Sequence, residues 1–442
     1  MTTTTPYRPS FVAQWALDLF YVLFALVASP VLLVLFLARR KWRDGFWERM
    51  GLVPRLPPHP MRIWVHAISV GESEAARPII GALRDRFPDA ELVLSTTTRT
   101  GRARARKLLP DLTVFHWPLD FPWAVAAALG RIRPALVVQV EAEWWPGFLF
   151  RAARRGIPVC AVNVRITEKA CRGYRRIGPL FRAMVNSAAV VGAQNDVYRD
   201  RLIGLGGDAE RIVVTGQMKY DNVAFEAVPG ADALRRDLGL GADERLIVAG
   251  STGPGEEEML LGAYARAKAA SPDVRLAIVP RKPERFDEVA RLIAARGYPL
   301  VRRSETKSRP AARDPQAVIL GDTMGELMAF YQCATVAYIG RSLVPMGGSN
   351  PIDPAGLGLP LVFGPHMFNF PEADELFAAS GAACVVRDAD SLAQTLSDLL
   401  QSPDRLGEMG RAAREAVRGR QGAAGRNADL VARVIRAAEE SS

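Results

Sequence analysis

Histidine and cysteine are both scarce, with four of each in 442 residues. Cys160, Cys171, Cys333 and Cys384 form no C-x-x-C pair. That excludes a disulfide framework and a cysteine zinc site, and it fits a reducing compartment. His59, His66, His116 and His366 build neither H-E-x-x-H nor H-x-x-x-H, so no metal is expected. A G-x-G-x-x-G turn after the first strand and a G-x-x-x-x-G-K-[ST] loop are also missing, which disfavours a dinucleotide fold or a P-loop ATPase. Acidic residues run short as well: 47 Asp and Glu against 57 Lys and Arg leave a net charge of +10. Such an excess points to an anionic partner: nucleic acid, a membrane surface or a phosphorylated substrate. No nucleic-acid-binding motif accompanies the charge, so no nucleic acid is expected.

What is present looks like a folded protein, 49% hydrophobic and 24% charged. Its length predicts two domains. Residues 19–37, "LFYVLFALVASPVLLVLFL", are uncharged and apolar. As a helix they reach about 28 Å, enough for a hydrocarbon core. Asp18 belongs at the interface, since a carboxylate at the bilayer centre costs about 3 kcal/mol. The basic stretch "ARRKWRDGFWERM" follows at once, and it places that end on the cytoplasmic side. A cleaved signal peptide fits poorly, because the run is long and an Arg-Arg-Lys cluster stands where small residues are required. The segment 14–38 is therefore read as a single anchor helix in the inner membrane, with the remaining chain in the cytoplasm.

After residue 60 short apolar runs alternate with amphipathic stretches. The runs "RIWVHAI", "ELVLS", "ALVVQV", "PVCAVN", "AVVGA" and "IVVT" are candidate strands, followed by "RLIVAG", "VRLAIVP", "AVIL", "TVAYIG" and "PLVFG". Near-continuous apolar strands imply parallel sheets covered on both faces. The expectation is α/β: two doubly wound domains, 39–222 and 223–442, facing a cleft. In such sheets ligands bind beyond the carboxyl ends of the strands.

Glu72 lies in the first such turn, "HAISVGE". Ser69-Val70-Gly71-Glu72 is a capping box by pattern. Gly71 also permits close approach of a ligand, and a carboxylate there can serve as a general base worth ~10²–10⁴ in rate. Glu141 and Glu143 follow "ALVVQV" and require cationic partners or a role, or else they complement a helix dipole. Arg165 in "NVRIT" and Lys219 in "GQMKYDN" are the basic candidates. "STTTRTGR", with Thr98, offers hydroxyls and cations, or an ordinary cap.

The second half reads as an anion and nucleotide site. "GSTGPGEEE", with Ser251, is a glycine-rich turn opening a helix. Pro280 and Arg281 follow a strand. Met324, Gly325, Glu326 and Leu327 start a helix with open N–H groups. Gly347, Gly348, Asn350 and Asp353 lie in "MGGSNPIDP", where the glycines allow close approach and Asp353 can accept from ribose hydroxyls. Taken singly, each of these turns is only a turn; four at successive strand ends point to a ligand.

As an ordered set, "HAISVGE", "EAEWWP", "NVRIT", "GQMKYDN", "GSTGPGEE", "PRKPER", "MGEL", "GGSNPIDP" and "FGPHMFNF" resemble the membrane-associated Kdo (3-deoxy-D-manno-octulosonic acid) transferases of lipopolysaccharide biosynthesis. The resemblance runs from the anchor to near residue 420. It implies a GT-B fold and a CMP-Kdo donor bound by the second half. It also implies a phosphorylated lipid A precursor, lipid IVA, as acceptor at the first half. Carried over residue by residue, it implies Glu72 as base and Pro280, Arg281, Met324, Gly325, Glu326, Leu327, Asn350 and Asp353 as nucleotide contacts. The family pattern has histidines where Gly253, Lys282 and Ser349 stand here, and glutamate where Asp353 stands. The implied reaction is an inverting transfer without cofactor, Glu72 deprotonating the lipid hydroxyl while Arg281 and helix N-termini hold the departing CMP. Its rivals are a nucleotide-sugar epimerase on the same fold and a non-catalytic, membrane-tethered lipid-binding protein.

Overall fold

A computed structural model describes residues 6–38, 43–68 and 70–440; the side chains at 32, 33, 35, 70–73 and 439 lie outside that description. The chain forms two compact units, Met1–Asn222 with Arg420–Ser442, and Val223–Gly419. Each holds one seven-stranded sheet in which every pairing is parallel.

In the first unit the strands are β1 (Arg62–His66), β2 (Glu91–Thr96), β3 (Thr113–His116), β4 (Leu136–Val140), β5 (Val159–Val164), β6 (Val190–Ala193) and β7 (Ile212–Val214). Their order across the sheet is 3-2-1-4-5-6-7. Alternate residues of one strand enter different cores: Trp64, Val137 and Val159 pack on one face, Ile63, Val65, Val138 and Cys160 on the other. That two-sided burial is why the strands read as unbroken apolar runs. Each fully buried large side chain contributes about 1.5–3 kcal/mol.

The second unit repeats the plan with β8 (Arg245–Thr252), β9 (Val274–Pro280), β10 (Leu300–Arg302), β11 (Val318–Leu320), β12 (Val336–Ile339), β13 (Leu361–Phe363) and β14 (Ala383–Val385), ordered 10-11-9-8-12-13-14. Both sheets change winding direction once, between β1 and β4 and between β8 and β12. Crevices beyond these switch points are where such sheets take ligands.

The expected boundary at 222/223 coincides with the division, but the second unit stops at Gly419 rather than 442. The last helix, Ala423–Glu439, returns to the first sheet, where Ala423, Ala428 and Val431 join the core of Ile63 and Val138. Asp221 receives the backbone N–H groups of Gly422 and Ala424, both at 2.6 Å, and so caps that helix.

The N-terminal helix spans Phe11–Ala38 and passes through Pro30. Its stretch Phe11–Val31 is long and apolar enough to cross a membrane. One face is nonetheless polar and occupied. Asp18 pairs with Arg151 at 2.6 Å, and the Tyr21 hydroxyl donates to Asp120. Gln14 donates to Asp18 at 2.9 Å. Upstream, Tyr7 N–H donates to the Asn186 carbonyl at 2.8 Å. Near the other end Phe36 meets Phe46, with ring centroids 4.8 Å apart. Asp18 is thus held by the folded unit through Arg151 and Gln14. Arg39, Arg40, Lys41 and Trp42 lie outside the described residues.

Candidate active site

β1 runs into the helix Val70–Arg86, so Gly71 and Glu72 fall in its first turn. The Glu72 carboxylate and Ser69, the capping partner expected from the sequence, lie outside what is described. The surroundings are well defined. Ala67 N–H bonds to the Ser95 carbonyl, and the N–H groups of Thr97 and Thr98 both bond to the Ile68 carbonyl. Thr98 uses its hydroxyl to accept from Gly101 N–H at 3.0 Å, capping the helix Arg99–Leu108.

Across the switch point, Glu141 and Ala142 leave β4 with φ of 60° and 30°. Side chains other than glycine rarely adopt that region, and such strain gathers at working sites. Asn163, also at positive φ (55°), donates to Glu141 Oε1 at 3.2 Å. Its own Oδ1 accepts from Met218 N–H at 3.0 Å. Asn163 thereby ties Glu141 to the short helix Met218–Asn222 that carries Lys219. Asn222 in turn donates to the Glu74 carbonyl at 2.8 Å, fixing that helix beside the one bearing Glu72. Burial raises the Glu141 carboxyl above its usual range, opposed by the charges of Lys219 and Arg165. The structure thus brings Glu141 together with both basic candidates.

Glu143 has a different environment. Its Oε2 lies 3.3 Å from His66 Nε2 and accepts from Thr97 Oγ1 at 3.3 Å. Burial works to raise this carboxyl, but hydrogen bonds from His66, Trp145 and Thr97 prevail and hold it below its usual range. His66 is fully buried at the end of β1, its ring stacked on Trp117 with centroids 3.9 Å apart. Its Nδ1 sits 3.0 Å from Ser95 Oγ. His66 and Thr97 were not expected as site residues. The available signal was a histidine ending an otherwise apolar strand.

In the second unit the expected residues again follow strand ends. Ser251 takes φ of 57°, and its carbonyl accepts from Ser349 Oγ at 3.3 Å. Pro280 ends β9, and Arg281 N–H donates to the Thr252 carbonyl at 3.1 Å, leaving the Arg281 side chain exposed. Met324 is exposed, and Gly325 has φ of 87°. The following helix starts at Leu327, three residues later than expected, because Gly325 is left-handed and Glu326 serves as its N-cap residue. Glu326 is engaged by Arg303 (2.9 Å), Lys307 (3.4 Å) and the Thr323 hydroxyl. Gly347 and Gly348 have φ of 89° and 73°. Asn350 accepts from Ile352 N–H at 3.0 Å at the start of the helix Ile352–Gly356, which contains Asp353. Among the described residues no group of three His, Cys, Asp or Glu side chains is placed to hold a metal ion.

Two Rossmann-like units, each built on one parallel seven-stranded sheet, define a fold of GT-B type. The fold is shared at low identity with a glycosyltransferase from Rickettsia africae ESF-5 (14% identical, 87% of this chain and 100% of that one, TM-score 0.58). It is shared equally with the UDP-GlcNAc 2-epimerase of Neisseria meningitidis (11% identical, 85% and 99%, TM-score 0.58).

Residues 44–222 match the family model of 3-deoxy-D-manno-octulosonic-acid transferase. The chain is 33% identical to the 3-deoxy-D-manno-octulosonic acid transferase of Haemophilus influenzae over 93% of this chain and 97% of that one. It is 33% identical to that of Bordetella pertussis over 91% and 96%. The chain belongs to the 3-deoxy-D-manno-octulosonic acid transferase family and is a glycosyltransferase of lipopolysaccharide biosynthesis.

Proposed function

We propose that the enzyme moves Kdo from CMP-Kdo to a hydroxyl of a phosphorylated lipid A precursor, with inversion at the anomeric carbon. The observation that carries this reading is the grouping at the β1/β4 switch point: the helix bearing Glu72, the strained Glu141 turn and the His66–Glu143 pair. Glu72 removes the hydroxyl proton as the oxygen attacks. Glu143, bonded by His66 and Thr97, stays ionised and orders this edge of the sheet. Glu141, with Lys219 and Arg165 nearby, shapes the acceptor side. Its burial-raised carboxyl makes it the second candidate for the base, because a base works best with a pKa near the operating pH.

The departing CMP is met in the second unit by Arg281 and by the backbone at Ser251, Gly325, Gly347 and Gly348; Asp353 accepts from the ribose. Pro280, Met324, Leu327 and Asn350 complete the nucleotide contacts, and Gly71 and Thr98 line the acceptor side. No step is routed through a metal. A transfer assay in detergent, with CMP-Kdo and a tetra-acylated lipid A precursor, compares wild type with Glu72→Gln, each with and without EDTA. Transfer that persists in EDTA and collapses in Glu72→Gln is expected. Equal transfer by both proteins would move the base to Glu141.

The acceptor is a membrane lipid, and the N-terminal helix supplies the attachment at the cytoplasmic face. Both of its flanks meet the same folded unit: just before the helix Tyr7 N–H donates to the Asn186 carbonyl, and near its other end the Phe36 ring packs on Phe46. A helix crossing the bilayer places its ends on opposite sides, about 30 Å apart. This arrangement favours a helix lying in the interface, polar side on the protein and apolar side in lipid, over the span expected from the sequence. The opposite face carries Val12, Leu23, Val27 and Val34, all exposed. The basic cluster after the helix and the net charge of +10 suit an anionic leaflet.

A further inference from the structure

The segment "GSTGPGEEE" was read as a phosphate turn, yet its first glutamate does something else. Glu256 is completely buried. Its Oε1 accepts from the Tyr338 hydroxyl (2.9 Å), Ser342 N–H (2.8 Å) and Leu343 N–H (3.0 Å). Its Oε2 accepts from Gly253 N–H (2.9 Å) and from Arg341 N–H. All five partners are donors, the match for a carboxylate, which only accepts. Four backbone N–H groups converging on one point, beside a left-handed Arg341 (φ 63°), form the kind of concavity that otherwise binds a phosphate. Here the protein's own carboxylate fills it.

The two segments so joined are the turn after β8 and the turn after β12, on the two sides of the switch point. Arg341 carries the link onward. Its carbonyl accepts from Gly348 N–H at 2.8 Å, and its guanidinium donates to the Met346 carbonyl at 3.1 Å. Ser349 closes the loop on the Ser251 carbonyl. Glu256 therefore sits at the root of the Ser251 and Gly347–Gly348 segments assigned above to the donor, without itself reaching the surface, while the Gly325 turn is held separately through Glu326 and Arg303.

We propose that Glu256 is a positioning residue for the nucleotide-sugar donor, holding Ser251–Gly253 and Arg341–Ser349 as one rigid cradle. The 341–343 amides are consequently unavailable to the donor, whose phosphate is met at Ser251, Gly347, Gly348 and Arg281. This inference rests on the donor reading above. In Glu256→Gln the amide keeps one acceptor and turns N–H groups toward at least two donors that lose their partner.

The test uses the full-length protein. CMP affinity and steady-state transfer are measured for wild type, Glu256→Gln and, as control, Glu258→Gln, whose exposed side chain pairs with Arg296. Expected for Glu256→Gln is a loss of CMP affinity and a rise in donor KM of roughly tenfold, the fold-change of one lost charge-assisted contact. kcat at saturating donor is expected to change far less, and the control to match wild type. A folded Glu256→Gln that binds CMP like wild type overturns the proposal. Should that variant not fold, Tyr338→Phe removes one donor alone and is expected to raise donor KM by a smaller factor; an unchanged KM is equally fatal. Hydrogen exchange over 341–349, without ligand, separates the two layers. Faster exchange there in Glu256→Gln supports the cradle even if wild type binds no CMP, a result that would sink the donor reading alone.

Discussion

His66 Nε2 lies 3.3 Å from Glu143 Oε2, joining the end of β1 to the turn after β4 across the point where the first sheet reverses its winding. The pair holds the Glu143 carboxyl below its usual range. A depressed carboxylate contributes stability that is present above its unfolded pKa, about 4.3. That stability is lost as pH falls through the lower folded value. Replacing His66 with Ala removes a main cause of the depression and leaves burial opposed only by the hydrogen bonds from Trp145 and Thr97. The acid limb of kcat/KM is expected to move to higher pH, with transfer at neutral pH down by roughly tenfold. A pH–rate profile checks this; an acid limb superimposable on wild type would reduce His66 to packing.

How far this site was legible in the sequence depends on the kind of residue. Strands buried on both faces announce themselves as apolar runs, and eleven candidate runs became strands β1, β2, β4–β9 and β11–β13. The three strands not anticipated, β3, β10 and β14, all lie at sheet edges. Edge strands are short and bury less, so Leu300–Arg302 and Ala383–Val385 read as loop. Glu141 and Glu143 stand out in the sequence because charge at the end of an apolar strand is costly without a purpose. Their opposite electrostatics were not readable, since these depend on His66, Thr97, Asn163 and Lys219, distant in sequence. The return of Ala423–Glu439 to the first sheet was likewise invisible, because an amphipathic helix does not specify which sheet it covers.

Glu141 offers a test of strain kept for function. Burial raises its carboxyl, so the charged form is disfavoured in the folded state. By the sign of linkage, its contribution to stability falls as pH rises from the unfolded value, about 4.3, through the raised one. Glu141→Gln removes that penalty. The variant is expected to be at least as stable as wild type at neutral pH, by thermal denaturation, while transfer drops by about a hundredfold. A variant both less stable and fully active would show that the carboxylate serves the fold.

Gly347 and Gly348 are required by geometry as much as by conformation. A Cβ on Gly347 would stand 2.3 Å from Asn369 Nδ2, and one on Gly348 2.3 Å from Met367 Sδ. Both residues are left-handed, which costs a side chain roughly 1–2 kcal/mol besides the clash. Gly347→Ala and Gly348→Ala are expected to fold, because β12 and β13 lie outside the loop, yet to lose CMP affinity by at least roughly tenfold. Titration calorimetry with CMP decides; wild-type affinity in both would remove this loop from the donor site.

Asp120 makes stability sensitive to mild acid in the opposite sense to Glu143. It accepts from Gly147 N–H (2.8 Å), Phe148 N–H (2.7 Å) and the Tyr21 hydroxyl, yet removal from water pushes its carboxyl up to about 6. Between the unfolded pKa, about 3.9, and about 6 the folded state holds the extra proton, so stability declines as pH rises through that window. The decline is expected to be about 2 kcal/mol and to vanish in Asp120→Asn. Chemical denaturation at pH 4.5 and 7 measures it; an equal slope in both proteins would assign it elsewhere.

The in-plane reading of the N-terminal helix can be decided by depth. Val12, Leu23 and Val34 lie on the face opposite Gln14, Asp18 and Tyr21 and are all exposed. Twenty-two residues separate the outer two, about 33 Å of helix. If the helix crossed the bilayer, nitroxides at Val12 and Val34 would report opposite interfaces and one at Leu23 the centre. Lying in the interface, all three are expected at the same shallow depth, within about 5–10 Å of the headgroups. Tyr21→Phe, which frees one bond to Asp120, is expected to leave those depths equal but weaken transfer to vesicle-borne acceptor more than to acceptor in detergent. A depth maximum at Leu23 would restore the crossing helix and require the Asp18–Arg151 and Tyr21–Asp120 contacts to open in the membrane.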